Sequence, residues 1–498
     1  MAAFKPGIPL AASADVIVPS QPSETVELTG IRNKAQHSPA NKLDDPFLVT
    51  FSGENDTSNP RNWSMRHKWA VTDVLSATGF NRIMVSTIMA PALPLIAQQF
   101  SMNSTETMMS FSSYVLATAF GPLIMGPLSE VYGRSPVLHA SNVWFLVWNI
   151  ILGWFWSKQY IRFERGVLGD MWTPEQRGQS LSVYLLIPLL GAAVGPIIGG
   201  FMAGRTTWRW MFWSTSAFQG VMVLASLLVF RETYAPLILK NRAERLRKTT
   251  GDSRYVTAQE RLQEDKSLFQ VLTKALSRPL RFILYHPVIQ ITSLIGAFYY
   301  GILYLLLASF ADLWTQHYHV SVEMSGLHYI AVAGGEIAGS QLGGYILDAL
   351  HRRLQARDST SVGVDPEHRL PLIFPAQMIG FVGLLVYGWT AQYRVHWIAV
   401  DIGMFIACFG LQISGMAMQA YVIDAYADHN SSVQAATQFL TSMTAFLFPL
   451  FAPTLYRILG YGWGNSLLVA VGFFIGFPLV ISLWKCGKRW RLASPSTE

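Results

Sequence analysis

At 498 residues the chain is 51% hydrophobic and only 13% charged, with a mean hydropathy of +0.30. That is too apolar for a soluble domain of this length, so most of it must face lipid. The net charge of +7, from 37 Lys and Arg against 30 Asp and Glu, collects in a few loops, where it speaks for membrane topology and against nucleic-acid binding.

Residues 1–67 are polar and rich in Pro, Ser and Asn, without the apolar core of a cleaved signal; a disordered cytosolic tail is expected, with the first span as an uncleaved insertion signal. Eleven apolar runs follow, near 69–97, 108–130, 136–156, 180–203, 210–230, 283–311, 324–347, 370–391, 395–419, 434–456 and 464–484. A helix needs about 20 residues to cross the hydrocarbon core, and these runs lack the alternation of a membrane barrel. The chain therefore reads as an all-α polytopic membrane protein. It divides into a transmembrane half over 68–231, a basic cytosolic linker over 232–281, a second transmembrane half over 282–485 and a cytosolic tail over 486–498.

Orientation follows from the basic residues. Eleven Lys and Arg lie between Lys240 and Arg281, with further clusters at His351, Arg352, Arg353 and Arg357, and at Lys485, Lys488, Arg489 and Arg491. All three belong on the cytosolic side, together with both termini, and beyond topology they read plainly as solvated charge. Cys408 lies inside a span and Cys486 at the end of the last, so no disulfide is expected.

The two halves carry an internal repeat. Gly126, Glu130 and Arg134 after the second span match Gly344, Asp348 and Arg352 after the seventh, at identical spacing. Two related six-helix halves, with a substrate site near the midplane, are the plan of many secondary transporters.

The segment GPLSEVYGRSPVL resembles the loop signature of the major facilitator superfamily. The resemblance implies that Glu130 and Arg134 lock the halves together at the cytosolic side in one state, with Gly126 and Gly133 permitting close helix approach. Gly191, Gly195, Pro196, Gly199 and Gly200 are similar to the motif of the antiporter branch; ordinary small-residue packing explains them as well. NPRNWSMRHKW, WRWMFW, RETYAPLILKNRAERLRKTTG and FPLFAPTLYRILGYGWGNSLL, among others, resemble fungal drug:proton antiporters of the twelve-span type from about residue 47 to about 490.

One departure stands out. The family has a fourth span where this chain has only Ser157 to Arg165. From Glu130 to Asp170 is 40 residues, against 76 from Asp348 to Asp424; about 16 of the 36 extra lie in a longer loop, which leaves roughly one helix. The fold class is thus a major facilitator fold with the fourth span apparently missing. Three readings remain open: a re-entrant piece over 157–170, a deleted product with impaired transport, or a wrongly spliced gene model.

Ionisable groups inside spans cost several kcal/mol unless paired or wetted. Asp73, Arg82, Glu336 and Asp401 are the candidates, with His328 added because its intrinsic pKa lies nearest working pH. Asp73 and His328 sit near span ends, where water alone accounts for them; the depth of Arg82 and Glu336 favours function or structural pairing. The expected mechanism is alternating access, with Glu336 carrying the coupling proton and Arg82 biasing it or anchoring an anionic group. Phe298, Tyr299, Tyr300 and Tyr304, with Gln290 and Gln341, are candidates to line a cavity for planar apolar cargo, although helix packing explains the aromatics equally well.

The resemblance implies export of amphipathic drugs or a fungal secondary metabolite by proton antiport at the plasma membrane, by a monomer with no cofactor beyond the proton gradient. Its partners would be lipid, substrate and protons. Polyamine export by the same fold is a close rival, and a non-transporting paralogue is the rival of another class. No phosphate loop, nucleophile elbow, HExxH or paired CxxC is present, so an enzyme is the least supported reading. Of two sequons, Asn103 falls in an outside loop and is expected to be glycosylated, while Asn430 is expected inside and unmodified.

Overall fold

A computed structural model of the chain describes residues 47–52, 56–154, 190–192, 194–263, 268–357, 366–426 and 430–493. The chain divides into two units, Met1–Leu48 and Val49–Glu498, and every described helix belongs to the second. The segment expected to lack the fourth span lies outside the described residues.

The first half holds α1 (Met65–Ile88) and its short continuation α2 (Leu93–Gln99), α3 (Ser104–Tyr132), α4 (Arg134–Trp154), α5 (helical over 190–192 and 194–205) and α6 (Arg209–Val229). Local chemistry sets several starts. Ser64 caps α1 by accepting from the His67 N–H, and Asn103 and Glu106 form a reciprocal capping box at α3. The connection is helical: α7 (Ala235–Thr250) stops at Gly251 in the left-handed conformation, followed by α8 (Ala258–Gln263) and α9 (Leu268–Tyr285). The second half holds α10 (Pro287–Asp312), α11 (Val322–Arg357), α12 (Ile373–Gln392), α13 (Trp397–Ala425), α14 (Asn430–Val471) and α15 (Phe477–Ala493). Gly460, at φ 70°, breaks α14 into two arms. Pro287 opens α10 at a position where a missing N–H costs nothing.

Seven helical stretches of the described chain are long and apolar enough to cross a membrane, the last of them running over two of the expected spans. The expected spans near 136–156 and 324–347 are α4 and α11.

Small residues decide how the helices pack, since lipid offers no hydrophobic drive between them. In the second half a Cβ at Gly403 would stand 2.5 Å from the Tyr387 nitrogen, and one at Gly339 would stand 2.8 Å from the Phe409 carbonyl. These contacts seat α13 against both α12 and α11. One end of the bundle, here the linker end, gathers the start of α1, the α3–α4 turn, α7 and the last turn of α15, which Arg491 ties to Glu367 at 2.9 Å.

The chain is already placed before the expected tail boundary at residue 67. The Val49 N–H donates to the Val256 carbonyl at 3.0 Å, and Arg242 pairs with Asp56 at 2.6 Å while also donating to Ser52 at 2.8 Å. The Ser52 N–H, the Arg242 guanidinium and the Ser58 N–H together hold the Asp56 carboxyl well below the usual carboxylate range.

Candidate functional site

Between the halves lies a cavity of about 200 Å³. The first half contributes Ile83, Ser86 and Thr87 of α1 and Ala192 of α5. From the second half come one face of α10 from Ile295 to Leu307, Glu336 of α11, and α13 through Cys408, Gln412 and Ser414. Three of the four aromatics singled out in the sequence, Tyr299, Tyr300 and Tyr304, are in its wall. Phe298 is not: its ring turns to Phe448 at 5.9 Å. Gln290 donates to the Leu284 carbonyl at 2.9 Å and belongs to the start of its helix, and Gln341 does not line the cavity, where Gln412 does.

Glu336 is 7% exposed, and among the described residues no hydrogen bond or ion pair reaches its carboxyl group. The close seating of α11 on α13 puts it beside Cys408 and Gln412. Arg82 is 2% exposed and does not face it. Its Nη2 donates to Asn142 Oδ1 of α4 at 2.6 Å, and its guanidinium lies 6.0 Å from the Phe145 ring. Gln219 donates to the same Asn142 oxygen at 3.5 Å, and Asn81 donates to Gln219 at 3.0 Å. This polar layer ties α1, α4 and α6 together, and it gives a buried cation an amide acceptor and an aromatic ring inside its own half. Asp73 is on an exposed face of α1. Asp401 accepts from His328 Nδ1 at 2.7 Å, and the His328 ring stacks on Trp314 at 3.6 Å, so this pair sits in the second half toward the end opposite the linker.

Among the described residues, the loop-motif contacts run within their own halves. Glu232, just past α6, accepts from the Arg134 and Ser135 N–H groups at 2.9 and 3.1 Å and so caps α4. Gly133, at φ +97°, brings the chain over that carboxylate, where a Cβ would stand 2.5 Å from its oxygen. Arg134 Nη1 donates to Ser129 at 2.7 Å and its guanidinium covers the Tyr234 ring. A Cβ at Gly126 would meet nothing within 4 Å, so no tight approach explains that glycine here. The Glu130 side chain lies outside the described residues. In the second half Arg369 pairs with Asp424 and, at 3.8 Å, with Asp348; Arg352 is exposed.

The glycine motif of α5 has two faces. Gly191, Gly195 and Gly199 rest on α1: a Cβ at Gly191 would stand 2.5 Å from the Phe80 carbonyl, one at Gly195 would stand 2.9 Å from that of Met84, and one at Gly199 would overlap that of Ile88. Pro196 and Gly200 face α11 of the other half, where a Cβ at Gly200 would stand 3.0 Å from the Val322 carbonyl. Beyond them Arg205 meets Glu323 at 3.4 Å. The halves are thus closed against one another at the far end. Sequence reading named neither Glu232 nor Glu323. The first stood in plain view inside the RETYAPL segment; the second had no signal.

Asn103 spends its side-chain oxygen on the Glu106 N–H at 2.8 Å, although the residue is exposed. The Asn430 side chain lies outside the described residues.

Two helical halves closing on a central cavity define a membrane transporter fold. The Major Facilitator Superfamily profile matches residues 75–163 and 165–449, and the chain belongs to that family. Among curated relatives, the probable efflux pump mfs2 of Aspergillus flavus is 47% identical over 81% of this chain and 98% of its own. The efflux pump vrtL of Penicillium aethiopicum is 36% identical over 90% of this chain and 91% of its own. Among solved structures, the partially occluded inward-open xylose transporter XylE from E. coli shares the fold with a TM-score of 0.60 at 13% identity, over 84% of this chain and 98% of its own. The protein is a transporter of small molecules and not an enzyme.

Proposed function

We propose that this protein exports amphipathic small molecules by proton antiport, with Glu336 exchanging the coupling proton in the central cavity. The observation that carries the reading is the Glu336 carboxyl group, buried in a wall shared by both halves and without a hydrogen-bond or ion-pair partner among the described residues. A charge so placed costs several kcal/mol, so the group is stable there when it holds a proton, and an arriving substrate or water changes that balance. The tyrosine-rich wall supplies flat apolar surface with hydroxyl edges, which suits amphipathic cargo over sugars. Export as the direction is supported by relatives that carry the name efflux pump.

Arg82 has a structural part in this reading: it holds α1 to α4 and leaves the proton to Glu336. The basic linker and both ends of the described chain face the cytosol of a plasma-membrane protein that acts as a monomer. The gradient is its sole energy source.

Proteoliposomes with an imposed pH gradient test the coupling. Glu336→Gln is expected to abolish gradient-driven accumulation while substrate exchange without a gradient survives. Uphill export by that variant would refute the assignment.

A further inference from the structure

A second cavity, of about 280 Å³, lies at the far end of the bundle. Met108 of α3 and Asp312 of α10 reach it, one turn or two beyond the contact of Phe111 with Tyr304 at 6.4 Å that bounds the central cavity. In the orientation proposed above it opens to the outside.

Asp312 is the last residue of α10, and among the described residues no hydrogen bond or ion pair engages its carboxylate. The helix runs on through the π-helical turn Leu313–His317, and the Asp312 carboxylate is spent on no cap there. That turn brings Gln316 and His317 into the same cavity. The opposite wall is aromatic: Tyr456 and Tyr461 stack at 4.6 Å and 26°. Two further charged or titratable residues line the cavity, and Tyr329 of α11 acts on Asp312 electrostatically. His317 is committed through Nε2 to the Ala391 carbonyl at 3.1 Å, and Arg457 is an exposed side chain at the rim with no ion pair to Asp312.

We propose that this outer cavity is a binding site for an organic cation, a quaternary or protonated amine, held between the Asp312 carboxylate and the Tyr456 and Tyr461 rings. The carboxylate supplies the negative charge, and the tyrosine ring surface not taken up by their own stacking attracts a cation lying over it. Arg457 opposes entry and tunes the affinity downward. The site does not depend on proton coupling at Glu336, since binding alone reports on it.

The test uses the full chain in lipid nanodiscs, with benzyltrimethylammonium as probe and its uncharged carbon isostere neopentylbenzene as control, by titration calorimetry. Benzyltrimethylammonium is expected to bind the unchanged chain and Glu336→Gln alike, with the isostere silent. Asp312→Asn should weaken binding by about ten-fold or more, a loss within reach of one charge contact at partly screened dielectric. Arg457→Gln should tighten it, and this variant decides the matter should Asp312→Asn fail to fold. Equal binding to Asp312→Asn that unfolds at the same temperature as the unchanged chain would overturn the proposal. So would equal binding of the isostere, no tightening with Arg457→Gln, or loss of binding in Glu336→Gln, which would move the probe to the central cavity.

Discussion

Gly326 of α11 rests on the backbone of Pro196 of α5, where a Cβ would stand 2.6 Å from the Pro196 carbonyl oxygen. This contact joins the two halves at the far end, and its weight can be judged against its neighbour. Arg205 and Glu323 are 70% and 31% exposed, so their ion pair contributes about 0–1 kcal/mol. A backbone clash costs about 1–3 kcal/mol. Closure at the far end is therefore more sensitive to a Cβ added at Gly326 than to loss of the ion pair.

Gly326→Ala should accordingly favour the state open at the far end, by about ten-fold in population. A cysteine placed at Ser86 in the central cavity, with Cys408 and Cys486 replaced, reports this through an impermeant thiol reagent added outside. Labelling no faster than in the parent would contradict the account. Arg205→Ala should change the rate far less.

Gly199 offers a test of a contact within one half. A Cβ there runs into the Ile88 carbonyl, which is backbone and cannot rotate away. Gly199→Ala should destabilise the first half by about 3 kcal/mol, seen as a lower unfolding temperature in detergent. Gly220, whose Cβ would meet nothing within 4 Å, is the matched control, and Gly220→Ala should be silent or mildly stabilising.

Glu232 accepts N–H groups from Arg134, Ser135, Thr233 and Tyr234. Glu232→Ala removes a charged helix cap and leaves those donors to water, at a cost of about 2 kcal/mol. Glu232→Gln keeps one acceptor and should fall between. Thermal unfolding of the two variants against the parent orders them.

The Asp56 clasp has a pH signature. Its folded-state pKa is depressed, so the carboxylate stabilises docking of the amino-terminal segment at every pH above its unfolded value near 3.9, and the contribution is lost as pH falls from there toward the folded value. Hydrogen exchange at the Val49 amide should be slow and flat from pH 5 to 7 once the intrinsic rate is removed, and its protection should decline progressively below about pH 4. Asp56→Asn should show the unprotected rate already at pH 7.

Much of the plan was legible along the chain. The membrane class, the helical spans, the paired motifs and the depth of Glu336 follow from runs and spacings within contiguous residues, because a helix in lipid must bury its own backbone and expose apolar side chains. The family likeness is of the same local kind, carried by whole segments such as GPLSEVYGRSPVL. Partners were a different matter. Arg82 and Glu336 looked like a pair, yet Arg82 turns to Asn142, 60 residues on, and Glu336 faces the cavity without it. Phe298 and Tyr299 are adjacent in sequence, but successive side chains on a helix diverge by about 100°, so one faces Phe448 and the other the cavity. Asp312 passed unnoticed at the end of an apolar run because nothing local marks the aromatic wall that α14 brings opposite it. The sequence by itself determined which segments enter the membrane and which residues carry charge there; tertiary structure alone decided which way those residues face, because helix rotation and neighbour choice depend on contacts between segments far apart in the chain.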